Sequence, residues 1–361
     1  MKRIRWGILS TGKIASSFTE DIKHVPDAEV VAVGSRNQAT ADAFGNKHNI
    51  SNRHSSYLDL ANDPDVDVIY IATPHVFHAE NNILCMNAKK AVLCEKAFCI
   101  HAGEAEKMIQ TARENNVFLM EALVTRHFPV IHQVLGWIAD GLIGDVRIVQ
   151  ADRCIRGDFS MEDRALNSEL GGGSLLDLGI YVIGFSSMIF GGPPNKATGF
   201  GFIGDYGSDE QGASILEYDH GALAVLTFAL RTATVNNAYI YGTEGYIKIP
   251  DLFSVPNKAT LHVDGQKKID FEEPILGNGL HYQVKEVHRC LREGLLESPR
   301  MRLEESLQIM ETMDTIRAPW DLKYPNDLNR IFIIILHSSL EIHSIKYKLY
   351  FLRIETILIW L

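Results

Sequence analysis

A chain of 361 residues is long enough for two domains, each with a core of its own. Its apolar fraction of 46% and charged fraction of 22% are those of an ordinary soluble protein. A net charge of −10, with no basic tract, argues against a general nucleic-acid surface.

The first element is Arg3–Ala15 (RIRWGILSTGKIA). A short apolar run ends in a Ser/Gly turn and a helix begins at once. This is the pattern of the first strand–turn–helix of a dinucleotide-binding unit, with Ser10-x-Gly12-x-x-Ala15 where G-x-G-x-x-G/A is usual. A residue without Cβ at position 12 lets the backbone approach a pyrophosphate, and the helix N-terminus attracts the anion. Ser10, Thr11, Gly12, Lys13 and Ile14 are therefore candidate cofactor-binding residues. A tight strand–helix turn without a ligand has the same local pattern.

The next strand, Glu29–Ser35, ends in Gly34-Ser35-Arg36-Asn37. An acid that would grip the ribose hydroxyls is missing at Ser35, and Arg36 suits a 2′-phosphate. NADP is favoured over NAD on these two residues, unless Arg36 is only a solvated side chain. Gln38–His48 reads as a helix and Val66–Thr73 as a buried strand. The loop Thr73-Pro74-His75-Val76-Phe77-His78 then lies where ligands bind in parallel sheets. Thr73, Pro74, His75 and His78 are expected to shape a nicotinamide site. The two histidines lack a third partner, so no metal is expected. His75–Ala88 is helical, and Ala91–Glu95 is a strand ending in Glu95-Lys96. A lysine there is either half of a structural salt bridge or a cation that orients a substrate hydroxyl beside the cofactor. Ala102–Asn115 is an amphipathic helix, Val117–Met120 a strand and Phe128–Asp140 a helix. Alternation of this kind predicts a parallel sheet covered on both faces.

After Gly144 the pattern changes. Asp145–Arg153, Ala197–Phe202, Gly212–Tyr218, Ala222–Ala229 and Asn236–Tyr241 are strands, and Gly242-Thr-Glu-Gly245 separates two more. Few helices intervene, so a mainly antiparallel sheet is expected with one face open. Apolar residues on both faces of Ala222–Ala229 predict burial of that face against a second copy. One helix near Leu175–Ile189 comes early. Two near Leu280–Glu293 and Leu303–Ile316 return to pack near the first domain. Gly171-Gly-Gly-Ser-Leu-Leu-Asp177-Leu-Gly-Ile-Tyr181 brings backbone close to something or opens a helix under unusual dihedral angles. Asp177 and Tyr181, four apart, share a helix face. They form a substrate grip and proton-transfer group, or a capped helix with Tyr181 in the core. The five cysteines, Cys85, Cys94, Cys99, Cys154 and Cys290, contain no C-x-x-C pair, and no signal peptide precedes them. They read as buried, reduced thiols of a cytoplasmic protein. From Leu328 the composition shifts to Ile, Leu, Tyr and Lys, and the uncharged run Ile331–Leu340 is too short to span a bilayer. The fold is expected to end near Pro325, with residues 326–361 an appendage rather than an anchor or docking segment.

These pieces together resemble the Gfo/Idh/MocA family of oxidoreductases. The resemblance covers roughly residues 3–325 and rests on S-T-G-K-I-A, A-T-P-H-V-F-H, E-K-A, M-E-A-L-V-T-R-H-F-P, E-L-G-G-G-S-L-L-D-L-G-I-Y and Y-G-T-E-G-Y-I. It is nearest to the branch of dimeric dihydrodiol dehydrogenases and NADP-dependent D-xylose dehydrogenases, which carry Tyr at the position of Tyr181. The resemblance implies an α/β protein with a Rossmann domain (1–122) and a substrate-binding and dimerisation domain (123–325) with a large open sheet. It implies that Lys96 and Tyr181 serve proton transfer, Lys96 lowering the Tyr181 or substrate pKa, and that Asp177 helps hold the substrate. Ala97 stands where the family has proline. Val124, Arg153 and Cys154 stand where the dihydrodiol enzymes carry pocket aromatics, so Arg153 becomes a donor to a polar substrate if it faces the pocket. The resulting expectation is an NADP-dependent oxidoreductase of a sugar, polyol or trans-dihydrodiol, a homodimer or a dimer of dimers. The alternative is a non-catalytic NAD(P)-binding sensor.

Overall fold

The computed structural model describes residues 3–160 and 163–327. The expected appendage after Asp327 lies outside the described residues. Strands β1 (Ile4–Leu9), β2 (Ala28–Gly34), β3 (Asn52–His54), β4 (Val68–Ile71), β5 (Ala91–Glu95) and β6 (Leu119–Ala122) form one sheet in the order 3-2-1-4-5-6. All its neighbouring pairs are parallel. Helices α1 (Lys13–Asp21), α2 (Gln38–His48), α3 (Tyr57–Ala61), α4 (His78–Asn87) and α5 (Ala102–Asn115) alternate with the strands. β4, β5 and β6 are buried throughout, as strands covered on both faces must be. The strand order reverses between β1 and β4, which opens a crevice at their C-terminal ends. β3 and α3 escape the sequence reading because Asn52-Arg53-His54 is too short and polar to show a period.

Helix α6 (Pro129–Ala139), with proline in its first turn, leads out of this domain. The second sheet comprises β7 (Val146–Cys154), β8 (Lys196–Ile203), β9 (Asp209–Glu217), β10 (Leu223–Ala229), β11 (Ala238–Gly242), β12 (Gly245–Ile249), β13 (Lys258–Val263) and β14 (Ile269–Glu272), in the order 14-13-12-11-7-10-9-8. Its pairs are antiparallel except β7 with β10, which is parallel. The chain leaves β7 through α7 (Ile180–Phe190) and re-enters at the far edge. The β8–β9–β10 meander then reverses twice before it meets β7, so the last pair runs the same way.

Val149, Ala151, Ala224, Leu226 and Phe228 point into the core beneath α7 and α9 (Leu303–Arg317). The other face is open, with Phe200 87% exposed and Phe202, Ile215, Val225 and Ile148 also exposed. Tyr239, Tyr241, Tyr246 and His262 form an aromatic ladder across it. α9 also packs on α5, and α8 (His281–Arg292) leans on β1, where Trp6 Nε1 donates to His288 Nε2 at 3.0 Å. Asp21 at the end of α1 accepts the backbone N–H groups of Asn278 and Leu280. The late helices thus return to the first domain as expected. Beyond Pro325, Asn326 donates to the Val76 carbonyl at 3.0 Å and Asp327 pairs with Arg317 at 2.9 Å, so these two residues are bonded to the body. The five cysteines are buried and free, and among the described residues no helix is long and apolar enough to cross a membrane.

Candidate active site

A cleft of about 670 Å³ runs along the C-terminal ends of the parallel strands, from Arg36 to Tyr181. One end is lined by Ser10, Gly12, Lys13, Ile14 and Arg36. Gly12 precedes α1 with no side-chain cap, so the first N–H groups of the helix are left for a ligand. A Cβ at Gly12 would meet nothing nearer than Ser10 Oγ at 3.8 Å, so the cradle is open. Ser10 takes φ 107°, a value that glycine adopts more readily, at the place where the fingerprint has its first glycine. Ser35 is buried and bonded to Thr40 Oγ1 at 2.5 Å, and no carboxylate stands at the end of β2. These features fit a dinucleotide with a 2′-phosphate beside the exposed Arg36. Thr11 is half-buried beside the turn and does not line the cleft.

The other end is lined by Thr73, Pro74, His75, Glu95, Lys96, Asp177 and Tyr181. Lys96 follows β5, and its peptide bond to Ala97 is cis. Its ammonium donates to the Asp177 carbonyl at 2.7 Å and to Asp177 Oδ1 at 2.9 Å, and lies 4.9 Å from the centre of the Tyr181 ring. Two of its three protons are thereby placed on Asp177, and the third is free for a ligand. Burial lowers the Lys96 pKa, but Asp177 and Tyr181 together outweigh it and the net shift is upward. Burial would raise Asp177; Lys96 and Arg164 overrule it and hold the carboxyl well below the usual range.

Both carboxylate oxygens of Asp177 also accept from Arg164, at 3.2 and 3.3 Å. Asp177 thus holds two cations at the wall of the cleft. Burial also governs Tyr181. Burial pushes its phenol above the ordinary value, and Lys96 offsets only part of that rise. Lys96 acts in the expected direction, lowering the phenol's pKa, and desolvation is the larger effect. Among the described residues the Tyr181 hydroxyl makes no hydrogen bond.

The glycine run explains how Asp177 and Tyr181 arrive here. Gly171 has φ 74°, and a Cβ there would lie 2.7 Å from His75 Cβ. Residues Leu175–Gly179 form one wide π turn before α7, where the sequence predicts a regular helix. Such turns displace side chains relative to a regular helix and occur often at functional sites. Buried Asp209 fastens the start of this turn, accepting Ser174 Oγ and Leu175 N–H at 2.6 Å each. Burial pushes Asp209 up to about 7.

His75 and His78 have a structural role. His75 faces the Gly171 carbonyl at 2.6 Å and the Lys96 carbonyl at 3.2 Å; His78 faces those of Ala97 and Thr73 at 2.8 Å each. Burial lowers them to about 3 and about 4; each neutral ring carries one N–H and can donate to one of the two carbonyls it faces, between the Lys96 turn and the end of β4. His78 is wholly buried and does not line the cleft. Glu95, also buried, accepts the Tyr70 hydroxyl. Among the described residues no cluster of His, Cys, Asp or Glu could hold a metal ion.

Arg164 was missed, because its loop carries no motif and it meets Asp177 only in the folded chain. Val124 lines the cleft as the resemblance implies. Arg153 and Cys154 part company. Cys154 lines a separate cavity of about 620 Å³ with Phe200 and Phe202, whereas the Arg153 guanidinium lies 5.8 Å from the Tyr181 ring.

Residues 4–123 match the model of an oxidoreductase family with an NAD-binding Rossmann fold, and residues 131–248 match the GFO/IDH/MocA C-terminal domain. The trans-1,2-dihydrobenzene-1,2-diol dehydrogenase of Mus musculus is 39% identical over 90% of this chain and 99% of its own length. That of Danio rerio is 38% identical, with the same coverage. A 3-ketoreductase from Actinomadura kijaniata, crystallised with NADP and TDP-benzene, is 26% identical with a TM-score of 0.78, covering 88% of this chain and 98% of that one. An aldose-aldose oxidoreductase from Caulobacter crescentus, 22% identical with a TM-score of 0.81 over 88% of this chain and 97% of that one, shares the fold.

Proposed function

This chain belongs to the Gfo/Idh/MocA family of oxidoreductases, and from that premise we propose that it is an NADP-dependent dehydrogenase. Its substrate is a CH–OH group of a sugar, polyol or trans-dihydrodiol. The observation that carries this reading is the pairing of Lys96 with Tyr181 at the opposite end of one cleft from Gly12 and Arg36. Relatives named as diol dehydrogenases and a ketoreductase crystallised with NADP support it. Ser10, Gly12, Lys13 and Ile14 cradle the pyrophosphate, Arg36 reads the 2′-phosphate, and Thr73, Pro74, His75 and Glu95 bound the nicotinamide end. Thr11, Ser35 and His78 hold these residues in place.

The bound nicotinamide accepts or supplies the hydride. The remaining work is proton transfer and positioning. Tyr181 exchanges a proton with the reacting oxygen, and the third N–H of Lys96 orients that oxygen. Asp177 keeps Lys96 charged and in register. A phenol held above its ordinary pKa is a standing acid at neutral pH, the form that protonates a developing alkoxide; the base form needed for oxidation grows in only at alkaline pH. Residues 1–122 form the cofactor domain in this reading, and 123–325 the substrate and assembly domain. The open sheet face, with its exposed Phe200 and tyrosine ladder, supports a homodimer or a dimer of dimers through that face. Five buried free thiols suit a reducing, cytoplasmic compartment.

A screen of pentoses, hexoses, inositols and trans-dihydrodiols for NADP⁺ reduction tests the reading, with Tyr181→Phe as the control. Tight NADPH binding without turnover of any member would overturn it in favour of a sensor.

A further inference from the structure

Against Tyr181, beside the substrate end of the cleft, lies a cation that makes no hydrogen bond or ion pair among the described residues. Arg153 lies on β7 in line with Val149 and Ala151, the residues that face the core. Its side chain therefore points from the sheet towards α7, and its guanidinium rests against the Tyr181 ring on which the Lys96 ammonium also lies. Among the described residues Arg153 makes no hydrogen bond or ion pair, and its Nε is buried without an acceptor. A half-buried guanidinium in this state is costly, because the water it lost has not been replaced.

The other charges nearby do not supply the missing acceptor. Asp177 is shared between Lys96 and Arg164. Glu95 is bonded to Tyr70. Asp163 sits at the exposed rim and accepts from Ser160. Among the described residues around Tyr181, Lys96 and Arg164 are thus bonded to Asp177, and Arg153 is bonded to no carboxylate.

We infer that the preferred substrate carries a carboxylate as well as its reacting CH–OH group, and that Arg153 reads that carboxylate while Tyr181 and Lys96 hold the hydroxyl. The inference rests on the dehydrogenase reading above. A guanidinium presents paired donors that match a planar carboxylate. Arg153 carries a single charge, which matches a monoanion; a phosphate dianion would bring one negative charge too many into a half-buried place. Neutral sugars and diols offer Arg153 hydroxyl acceptors but no countercharge.

The test uses the full chain and acid–amide pairs of equal shape, D-glucuronate with D-glucuronamide and D-gluconate with D-gluconamide, with D-glucose 6-phosphate as a further arm. For at least one pair kcat/KM is expected to favour the acid by about tenfold or more, the worth of a charge-assisted hydrogen bond. In Arg153→Gln that ratio falls to near one, and Arg153→Lys keeps part of it. Acid and amide used equally well by the unsubstituted chain, a ratio untouched by Arg153→Gln, or a preference for the phosphate over both acids overturns the inference. Turnover of neutral polyols without any acid preference defeats the inference alone. If no CH–OH substrate is turned over, the dehydrogenase reading fails instead. The inference is then decided by calorimetric titration of the NADP-loaded chain, where each acid must bind more tightly than its amide and Arg153→Gln must abolish the difference.

Discussion

Replacing Lys96 by Met takes one cation from a group of three charges, two of them largely buried and Arg164 exposed, and leaves the other two paired. Asp177 loses the bonds to its carbonyl at 2.7 Å and to Oδ1 at 2.9 Å but keeps Arg164 at 3.2 and 3.3 Å. The carboxylate is therefore not stranded, and the stability loss should be about 1–2 kcal/mol, below the roughly 3–5 kcal/mol of a buried ion left alone. The effect on catalysis is larger. The variant lacks the N–H that orients the reacting oxygen and the charge 4.9 Å from the Tyr181 ring. kcat should fall by about 10²-fold or more, roughly 2.7 kcal/mol in the barrier. The pH profile carries a separate signature. Burial already raises the Tyr181 phenol, and the ammonium is what opposes it. Without Lys96 the phenol rises further, so the limb along which oxidation accelerates with pH moves to higher pH. Rates of NADP⁺ reduction from pH 6 to 11 on the best substrate, NADPH affinity by fluorescence and a thermal melt measure all three effects. A kcat within about threefold of the parent, or a limb that stays in place while kcat falls, would refute the assigned role of Lys96.

Arg36→Ala should remove a preference for NADP over NAD of at least about tenfold, or 1.4 kcal/mol, measured by titration of both cofactors; equal binding by the unsubstituted chain would remove the basis of the assignment. Asp209 has its pKa raised by burial to about 7, so it contributes stability at low pH that is lost as the pH climbs from the unfolded carboxylate value to about 7. Denaturant melts across pH 4–8 should therefore show Asp209→Asn gaining on the parent over that window, and parallel curves would contradict it. On the open sheet, Phe200→Asp places a charge where a partner copy is proposed to sit, and sedimentation at micromolar concentration should change from dimer to monomer. A parent chain that sediments as a monomer would end that proposal.

The sequence by itself determined the features whose signals are local. The run Arg3–Ala15 specifies its strand–turn–helix through apolar alternation and one glycine, and α2, β5 and α5 occupy the predicted Gln38–His48, Ala91–Glu95 and Ala102–Asn115. Lys96, Asp177 and Tyr181 were legible because an ionisable residue at a strand end, and a glycine run before a helix, stand out against their neighbours. β3, β13 and β14 were not legible, being short, polar or partly exposed segments whose pairing is set by the sheet they join. The parallel meeting of β7 and β10 was hidden too, since it depends on where the chain re-enters the sheet after α7. Tertiary structure alone decided the electrostatics of the site. Lys96 meets Asp177 across 81 residues of chain, Arg164 comes to them from a loop without a motif, and Arg153 approaches Tyr181 from the sheet. Whether the Tyr181 phenol rises or falls depends on the balance of burial against these charges. Desolvation belongs to the assembled environment and has no counterpart in the order of the residues.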